Sequence, residues 1–308
     1  GDGLEETLIV YHNEDDDLIY LRIIDDAEEN FAVYEWPFSD EEVLGLDIES
    51  GDFDGDGRQD AVVSVIQDTQ ALLLFLFGDK ASSYTVDNNL TLTIPEGTTN
   101  GSYLSIELAT GNIDYDAPWE LVVVRNVSDN LLSSSTPQFS VTYYWIYDDA
   151  GTDFATLKEG FVTGVDGQVY TAVLANAAVG NIDGDELEEV IISGITELVD
   201  DCQSADYISL AFDDAAHGLA DLGQDFNDDS NLSSCETNGN PRRINHVFVN
   251  TVDLDGDQVE EVQVNQLVFE DFRDSSWEVR AIIPDNMFSH TFSNQGMRIR
   301  KDTAAVAV

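Results

Sequence analysis

One loop pattern constrains this chain more than any other feature: oxygen-bearing side chains on alternate residues, followed at once by an apolar run. In its first copy the side chains are Asp52, Asp54, Asp56 and Asp60, at loop positions 1, 3, 5 and 9, and the apolar run 61–65 follows. Alternate residues of a tight loop can turn their carboxylates inward around one hard cation, and calcium takes about six to eight oxygen ligands. Glycines at loop positions 4 and 6 permit the left-handed backbone that such a wrap needs. The pattern predicts a calcium-binding loop that leads into a β-strand.

The loop recurs three more times, and its first positions, 52, 112, 181 and 253, lie 60, 69 and 72 residues apart. A single Asp- and Gly-rich segment is often only a solvated turn, but four copies with one spacing favour a repeated calcium site. The chain also begins with what resembles the second half of a fifth loop, with Asp2 at position 5 and Glu6 at position 9. We call the four full copies loop 1 (52–60), loop 2 (112–120), loop 3 (181–189) and loop 4 (253–261). The predicted ligands of loops 2 to 4 are Asn112, Asp114, Asp116 and Glu120; Asn181, Asp183, Asp185 and Glu189; and Asp253, Asp255, Asp257 and Glu261.

The loop differs from an EF-hand, because its closing acid stands at position 9 rather than 12 and its flanks are strand-like rather than helical. Gly51–Gly57 and Val179–Asp185 instead resemble the FG-GAP (VCBS-type) repeat, the calcium-loop repeat of integrin α-subunit propellers and many bacterial surface proteins. The resemblance implies one β-propeller blade per repeat, with calcium in the hairpin loop between the first two strands. Two copies depart from the family pattern. The fourth has Val252 where the others have glycine, and the second has Tyr115 and Ala117-Pro118 in place of the loop glycines.

Short β-branched or aromatic runs lie between the loops, bounded by Asp, Asn, Gly and Ser, at the spacing of an all-β meander. Strands are predicted at Leu18–Ile24 and Ala71–Phe77, among others, and many are apolar on both faces, which suits sheets covered on both sides. We therefore expect an all-β fold, a single β-propeller of five blades with about four antiparallel strands each. The expected units are residues 1–43 with 297–308, 44–103, 104–170, 171–244 and 245–296.

The two ends of the chain are expected to meet. Residues 301–308 resemble a strand that enters a loop, whereas residues 1–6 resemble the second half of a loop. On this interpretation Met297–Val308 supplies the innermost strand of the first blade, which removes two exposed sheet edges. The alternative is that the chain is an excerpt from a longer array and pairs with the next copy. The sequence is compatible with both.

The chain is strongly acidic, with 62 Asp and Glu residues against 12 Lys and Arg residues and a formal net charge of −50. Such a charge repels nucleic-acid phosphates and anionic membrane surfaces, so neither is an expected partner. No run reaches the roughly 18 apolar residues of a membrane-spanning helix, so membrane insertion is not expected. Most of the acidity lies outside the loops. It is explained either by solubility in a salty, calcium-rich setting or by a surface that binds cations or basic partners.

An acidic insertion, residues 200–240, interrupts the fourth unit, and its stretch 213–222 is compatible with a short helix. Long insertions of this kind are either functional or merely tolerated. Cys202 and Cys235 bracket it; in an oxidising compartment they would pair and pin the loop, and otherwise they are two unpaired thiols. Sequons in predicted turns or strand ends suit a secreted glycoprotein, although a chain rich in Asn, Ser and Thr also produces them by chance. They begin at Asn89, Asn100, Asn126 and Asn231.

No catalytic constellation is recognised, so the chain is not expected to be an enzyme. No nucleophile elbow, phosphate loop or dinucleotide fingerprint occurs, and the histidines at 12, 217, 246 and 290 show no metal-ligand spacing.

With calcium as the expected cofactor, we hypothesise an extracellular or cell-surface protein with a structural, adhesive or ligand-binding role. Its partners would be glycans, extracellular proteins or further copies of itself. One variant is a subunit of a surface fibre or coat, and another is a lectin-like or integrin-like binder. The alternative is a polysaccharide-active enzyme, a lyase or glycosidase, since calcium propellers similar to this one also occur in polysaccharide lyases. The scarcity of basic residues argues against an anionic substrate.

Overall fold

The structure is a computed structural model of the chain. Where the structure describes the chain, the only regular elements are β-strands, and no helix there is long and apolar enough to cross a membrane. The described residues are 7–24, 31–39, 43, 45–66, 71–78, 86–93, 103–128, 140–148, 154–162, 172–185, 187–196, 207–227, 243–253, 259–271, 274–283 and 297–300.

Nineteen strands in these residues form five separate antiparallel sheets, within each of which strands that follow one another in the chain pair with one another. We number the sheets 1 to 5 in chain order; sheet 1 has three strands and the others have four. The all-β prediction is therefore confirmed, as are antiparallel sheets of three to four strands. Sheet 1 comprises β1 (Thr7–Asn13), β2 (Leu18–Ile24) and β3 (Val33–Ser39); sheet 2 comprises β4 (Gly45–Gly51), β5 (Asp60–Ile66), β6 (Ala71–Phe77) and β7 (Val86–Thr93). Sheet 3 comprises β8 (Tyr103–Gly111), β9 (Glu120–Ser128), β10 (Ser140–Asp148) and β11 (Ala155–Phe161); sheet 4 comprises β12 (Ala172–Gly180), β13 (Glu189–Thr196), β14 (Tyr207–Phe212) and β15 (Asp221–Asn227). Sheet 5 comprises β16 (Arg243–Val252), β17 (Glu261–Asp271), β18 (Asp274–Ile283) and β19 (Met297–Arg300).

The last described strand departs from the sequence-based expectation. Met297–Arg300 pairs with β18, with Met297 opposite Val279 and Arg300 opposite Ser276, and is the fourth strand of sheet 5. Its assignment to the first blade is therefore wrong for these four residues. The physical reason is that an antiparallel neighbour that comes just before it in the chain offers a free edge. Residues 301–308 and 1–6, which carry the rest of that prediction, lie outside the described residues.

The stretch 213–222 is a turn followed by a strand, so the expected short helix is not formed there. β15 begins at Asp221 and pairs with β14, with Phe226 opposite Ile208. The prediction treated this polar segment as part of an insertion, but 221–227 completes sheet 4 as its edge strand. Edge strands carry polar residues readily because only one side of their backbone is paired.

The core consists of the interfaces between successive sheets. Strand β5 is buried along its whole length. Its Ala61, Val63 and Val65 pack against sheet 1, whereas Val62 and Ile66 pack against sheet 3. Side chains alternate between the two faces of a strand, so an apolar run without alternation is buried on both sides. Strand β9 is likewise buried on both faces, between sheets 2 and 4.

The first strands of sheets 2 to 5 lie next to one another in order, β4 by β8, β8 by β12 and β12 by β16. Polar side chains connect them. Asp47 Oδ2 accepts the N–H of Leu108 at 2.8 Å, and Thr251 Oγ1 donates to the carbonyl of Val179 at 3.1 Å. Because these strands all run towards the loops, the arrangement places loops 1 to 3 along one end of the stacked sheets.

Candidate metal centres

Loops 1 to 3 each join the first two strands of a sheet, as the resemblance implied. The residue at loop position 2 anchors each loop, because its apolar side chain enters the core. Phe53 and Ile113 are fully buried, and Ile182 is almost so. At positions 4 and 6 of loop 1, Gly55 and Gly57 have φ angles of +73° and +84°, in the left-handed region that favours glycine.

A repeated hydrogen bond between alternate residues shapes the three loops. The position-3 carboxylate accepts the N–H of position 5, at 3.0 Å for Asp54, 2.8 Å for Asp114 and 3.1 Å for Asp183. Short side chains that bond the backbone two residues on are the usual means of closing a turn without a strand or helix partner. In loops 2 and 3 the position-3 and position-5 carboxylates belong to one group of ligand atoms, whereas in loop 1 Asp54 groups with Asp52 and Asp60.

The position-9 carboxylate is held by one of its two oxygens. Glu189 Oε2 accepts the N–H of Ile182 at 2.7 Å, and Glu120 and Asp60 accept the equivalent N–H groups of Ile113 and Phe53. Each of these three acids is the first residue of a buried strand, and all three are at least 96% buried, being 0–4% exposed. In Glu120 and Glu189 the bond leaves the second oxygen without a hydrogen-bond donor among the described residues.

Within the described residues, four buried oxygens of these loops have no hydrogen-bond donor. They occupy loop positions 1 and 9 and are Asp52 Oδ1, Asn112 Oδ1, Glu120 Oε1 and Glu189 Oε1. A buried polar atom without a partner destabilises the folded protein by about 1–3 kcal/mol. Four such atoms at the two ends of the predicted ligand pattern therefore fit a bound cation that the oxygens would surround.

Burial and mutual repulsion shift the acid–base behaviour of the position-9 acids. Burial, together with the nearby carboxylates of Asp114, Asp116 and Asp148, raises the pKa of Glu120 to about 8, against the opposing effect of the Ile113 N–H. The pKa of Glu189 is raised to about 8 for the same reasons. A cation among these oxygens would reverse the shift, since it favours the ionised carboxylate.

The structure adds ligand candidates that lie outside the loop pattern. Asp148, the last residue of β10, joins Asp114 and Asp116 in a group whose carboxylate oxygens lie within 4.8 Å of one another. Asp213, directly after β14, joins Glu189 and Asp214 in the same way. Both stand across the sheet from a position-9 acid, because Tyr147 pairs with Leu121 and Phe212 with Val190. An acid directly after the third strand of a unit was the available sequence signal, and it was missed.

The structure describes only the two ends of loop 4 and none of the fifth half-loop. Asp253 follows β16 and Glu261 begins β17, with Val252 paired to Glu261. Asp255 and Asp257 lie outside the described residues, as do Asp2 and Glu6. These ligand assignments stay predictions.

Successive loops are joined by one recurring backbone bond. The N–H of position 8 donates to the position-1 carbonyl of the preceding loop: Trp119 to Asp52 at 2.7 Å, Glu188 to Asn112 at 3.1 Å and Glu260 to Asn181 at 2.7 Å. Because this bond recurs between successive loops, the conformation of one loop affects the conformation of the loop to which it is bonded. All three of these position-8 side chains also lie over the glycine before the preceding loop, and Trp119 lies against Gly51. Glu188 lies against Gly111, and Glu260 lies against Gly180.

Asn126 is not a glycosylation site in this fold. Its side chain is 2% exposed and lies inside the structure, where Nδ2 donates to Ser105 Oγ and to the carbonyl of Ala175, both at 2.8 Å. Its Oδ1 accepts the Thr142 hydroxyl and the Ala175 N–H. Asn126 therefore has a structural role, and the prediction that it is a glycosylation site is wrong. Asn89 lies within β7, whereas Asn100, Asn231, Cys202 and Cys235 lie outside the described residues.

Comparison with known proteins adds little to this description. No family model matches the chain, and no curated protein matches it. Among solved structures it is similar to the Bacillus licheniformis rhamnogalacturonan lyase PL11, with 13% sequence identity and a TM-score of 0.43, over 80% of this chain and 47% of that one. The chain thus spans about half the length of the structure that it matches. A similarity at this level assigns no function.

Proposed function

We propose that this protein is an extracellular β-propeller of the FG-GAP type, in which calcium ions in loops 1 to 4 hold the sheets together and the role is structural or adhesive. The ions would be held by the side chains of positions 1, 3, 5 and 9. In loops 2 and 3 a further carboxylate, Asp148 or Asp213, would join them.

The observation that carries this proposal is the set of buried, unpartnered oxygens at loop positions 1 and 9. Glu120 and Glu189 each commit one oxygen to a backbone N–H and direct the other inward. Calcium supplies what such a site lacks, because it accepts six to eight oxygens in flexible geometry at about 2.3–2.6 Å.

The bonds between loops give calcium a mechanical role. A cation in loop 3 would order Glu188, whose backbone N–H and side chain both bond Asn112 of loop 2. Ordering one loop would therefore favour the ordered form of the preceding one. Calcium sites of extracellular modules bind at about 10⁻⁴–10⁻³ M, a range that is filled outside cells.

Unfolding in calcium and in chelator tests the proposal. Ligand binding to the native state alone adds RT ln(1 + [L]/Kd), so 10 mM calcium should stabilise the protein by about 1.4–2.7 kcal/mol for each occupied site at these affinities. Magnesium at the same concentration is the control, since its smaller ion requires a stricter octahedral geometry. Unfolding curves that coincide in calcium and in chelator would overturn the proposal.

We further propose that the five sheets close into a ring in which sheet 5 covers the outer face of sheet 1. One face of sheet 1 packs on sheet 2 through Ile19, Leu21 and Ile23. The opposite face carries Ile9 and Val33, which are 36% and 58% exposed among the described residues. The same face also carries Tyr11 and the Arg22–Glu35 ion pair, so a sheet that covers it would meet both apolar and charged side chains.

Ring closure predicts that Ile9→Asp lowers the free energy of unfolding by about 2 kcal/mol or more, because a carboxylate would replace an apolar side chain that the covering sheet buries. The matched control is Phe161→Asp on edge strand β11, where an exposed apolar side chain is replaced. Light scattering should give a monomer at all concentrations. If the wild type forms filaments and Ile9→Asp does not, the ring proposal is wrong and the fibre variant is supported.

A further inference from the structure

The turn after β14 brings a second group of ligands against loop 3. Residues 213–219 form this turn, and backbone bonds close it, from Leu219 N–H to the Asp214 carbonyl and from Gly218 N–H to the Ala215 carbonyl, both 2.9 Å. Ala215 N–H also donates to the carbonyl of Ile113 in loop 2 at 2.9 Å. Leu219 is 4% exposed and packs in the core. Its internal backbone bonds, the bond to loop 2 and the buried Leu219 side chain therefore fix the position of the turn.

Three overlapping groups of ligand atoms meet at this turn. Each group holds its atoms within 4.8 Å of one another, and each pair of groups shares one residue. The groups are Asp183, Asp185 and Glu189; Glu189, Asp213 and Asp214; and Asp185, Asp214 and His217.

The charge in this region exceeds what one calcium ion offsets. The three groups contain five different carboxylates and one imidazole. A single divalent ion neutralises two charges, and carboxylates this close repel one another strongly when buried. Asp214 is completely buried, so water does not screen its share of this repulsion.

A separate observation points to a ligand here. Glu189 is completely buried, its Oε1 has no donor within the described residues, and it belongs to the group that contains Asp213 and Asp214. Glu189 therefore lies close to the carboxylates of the turn as well as to those of loop 3.

His217 gives the outer part of the region a different chemistry from loops 1 and 2. Its Nδ1 lies 2.8 Å from Asp214 Oδ2 and 3.4 Å from Asp213 Oδ1, and its side chain is 56% exposed, so an ion can reach it from solvent. Calcium binds oxygen ligands, whereas imidazole nitrogen with carboxylate oxygen suits zinc and similar ions.

We propose that Asp185, Asp214 and His217 form a second cation site beside loop 3, specific for a divalent ion of the zinc class. Three protein ligands and a water would complete the tetrahedral coordination that zinc prefers. Asp185 and Asp214 also belong to the groups that surround Glu189, so they are placed to bridge this ion and an ion in loop 3. The site goes beyond the calcium function proposed above and shares Asp185 with it.

The chain offers a matched control for this proposal. His12 Nε2 lies 2.9 Å from Asp17 Oδ1, a His–Asp pair with nearly the same spacing whose aspartate is exposed. It belongs to none of the ligand groups among the described residues. A pair that serves only to close a turn should behave as His12 does.

The experiment is a zinc titration of the full-length protein, stripped with chelator and then saturated with 10 mM calcium, followed by calorimetry and by metal analysis. The wild type should bind zinc at one class of site. His217→Ala should weaken that binding by at least about 10-fold, the lower bound seen even for loss of outer-shell partners, while His12→Ala should bind as the wild type does.

Separate measurements distinguish this site from the calcium sites. His217→Ala should keep the calcium-dependent rise in Tm, because its side chain is largely exposed and lies outside the loop. The proposal is overturned if the wild type binds no zinc in saturating calcium, which would mean that zinc only competes for the loops. It is equally overturned if His217→Ala and His12→Ala have the same affinity for zinc. A loss of calcium stabilisation in the wild type would count against the calcium loops and leave the zinc result intact.

Discussion

Glu188 and Asn112, in successive loops, exchange two hydrogen bonds. Glu188 Oε2 accepts the N–H of Asn112 at 2.7 Å, and the N–H of Glu188 donates to the carbonyl of Asn112 at 3.1 Å. Asn112 is the first predicted ligand of loop 2, and Glu188 directly precedes Glu189, the last predicted ligand of loop 3. Two adjacent glutamates thus have different tasks: one faces the neighbouring sheet and the other faces the cation site of its own loop.

Glu189→Gln should remove most of the calcium stabilisation contributed by loop 3. The amide oxygen can still accept the Ile182 N–H, but the neutral side chain is a weaker calcium ligand. In chelator the variant should be at least as stable as the wild type at pH 7, since burial raises the pKa of Glu189 to about 8 and the empty folded site must hold a proton that the unfolded chain has lost. Thermal unfolding with and without calcium measures both effects.

Glu188→Gln is the matched control for that substitution. Its amide oxygen can still accept the Asn112 N–H, and it faces loop 2 rather than the interior of loop 3. We expect its calcium-dependent shift in Tm to equal that of the wild type. An equal loss in both variants would show that Glu189 acts on packing between the loops rather than on the ion.

Gly180→Ala should destabilise the protein by about 3 kcal/mol or more. A Cβ at this position would lie 2.6 Å from Thr251 Cβ and would overlap the Glu260 carboxylate, so β12 and β16 would have to move apart. Gly57→Ala is the comparison, because its φ of +84° is unfavourable for alanine but no atom lies within 4 Å of the added Cβ. It should lose only about 1 kcal/mol. Denaturant unfolding in chelator gives both values, and equal losses would contradict close packing at Gly180.

Glu107→Gln should make stability less dependent on pH. Burial, and then the nearby Asp47 carboxylate, raises the pKa of Glu107 from its ordinary value of 4.5 to about 8, while the bond from Asn176 lowers it. Between about pH 4.5 and 8 the folded state keeps a proton that the unfolded state has lost, so stability falls as pH rises through this window. Glutamine does not titrate, so the variant lacks this fall in stability with rising pH. Its amide oxygen can still accept the hydrogen bond from the Asn176 side chain.

Free energies of unfolding at pH 5, 7 and 8.5 in saturating calcium test this prediction. The pKa values of Asp47 and Glu49 on β4 are raised to about 6 and about 7, mainly by burial, so the variant should retain part of the slope. Glu159→Gln on the exposed strand β11 serves as the control and should follow the wild type. Identical slopes in wild type and Glu107→Gln would refute the assignment.

Asn126→Ala should lower the free energy of unfolding by at least about 2 kcal/mol, since it removes the hydrogen bonds that buried groups of three other strands make to its side chain. Those groups are the Ser105 and Thr142 hydroxyls and both backbone groups of Ala175. Thr142→Val removes one of these bonds and should have a smaller effect. Mass spectrometry of secreted protein should find no glycan at Asn126; a glycan there in folded protein would contradict its burial.

The loops and strands were readable from the sequence because their causes are local. Asp183 and Asp185 lie two residues apart on one turn, and this short spacing brings their carboxylates together. The uninterrupted apolar run 61–65 likewise requires burial on both faces, wherever the neighbouring sheets come from. Repetition of this short pattern therefore determined the antiparallel all-β architecture and the candidate ligands of the loops.

Only the tertiary structure decided what depends on residues distant in the chain. Asp148 reaches loop 2 because the register of β10 on β9 sets it opposite Glu120, and nothing near Asp148 in sequence requires this. Asn126 has the sequence of a glycosylation site and becomes a buried connector because β12 packs over it. His217 lies among carboxylates because a turn pinned to loop 2 returns to loop 3. Strand register and sheet packing join such residues across 20 to 50 positions, and the spacing within a single loop does not specify these contacts.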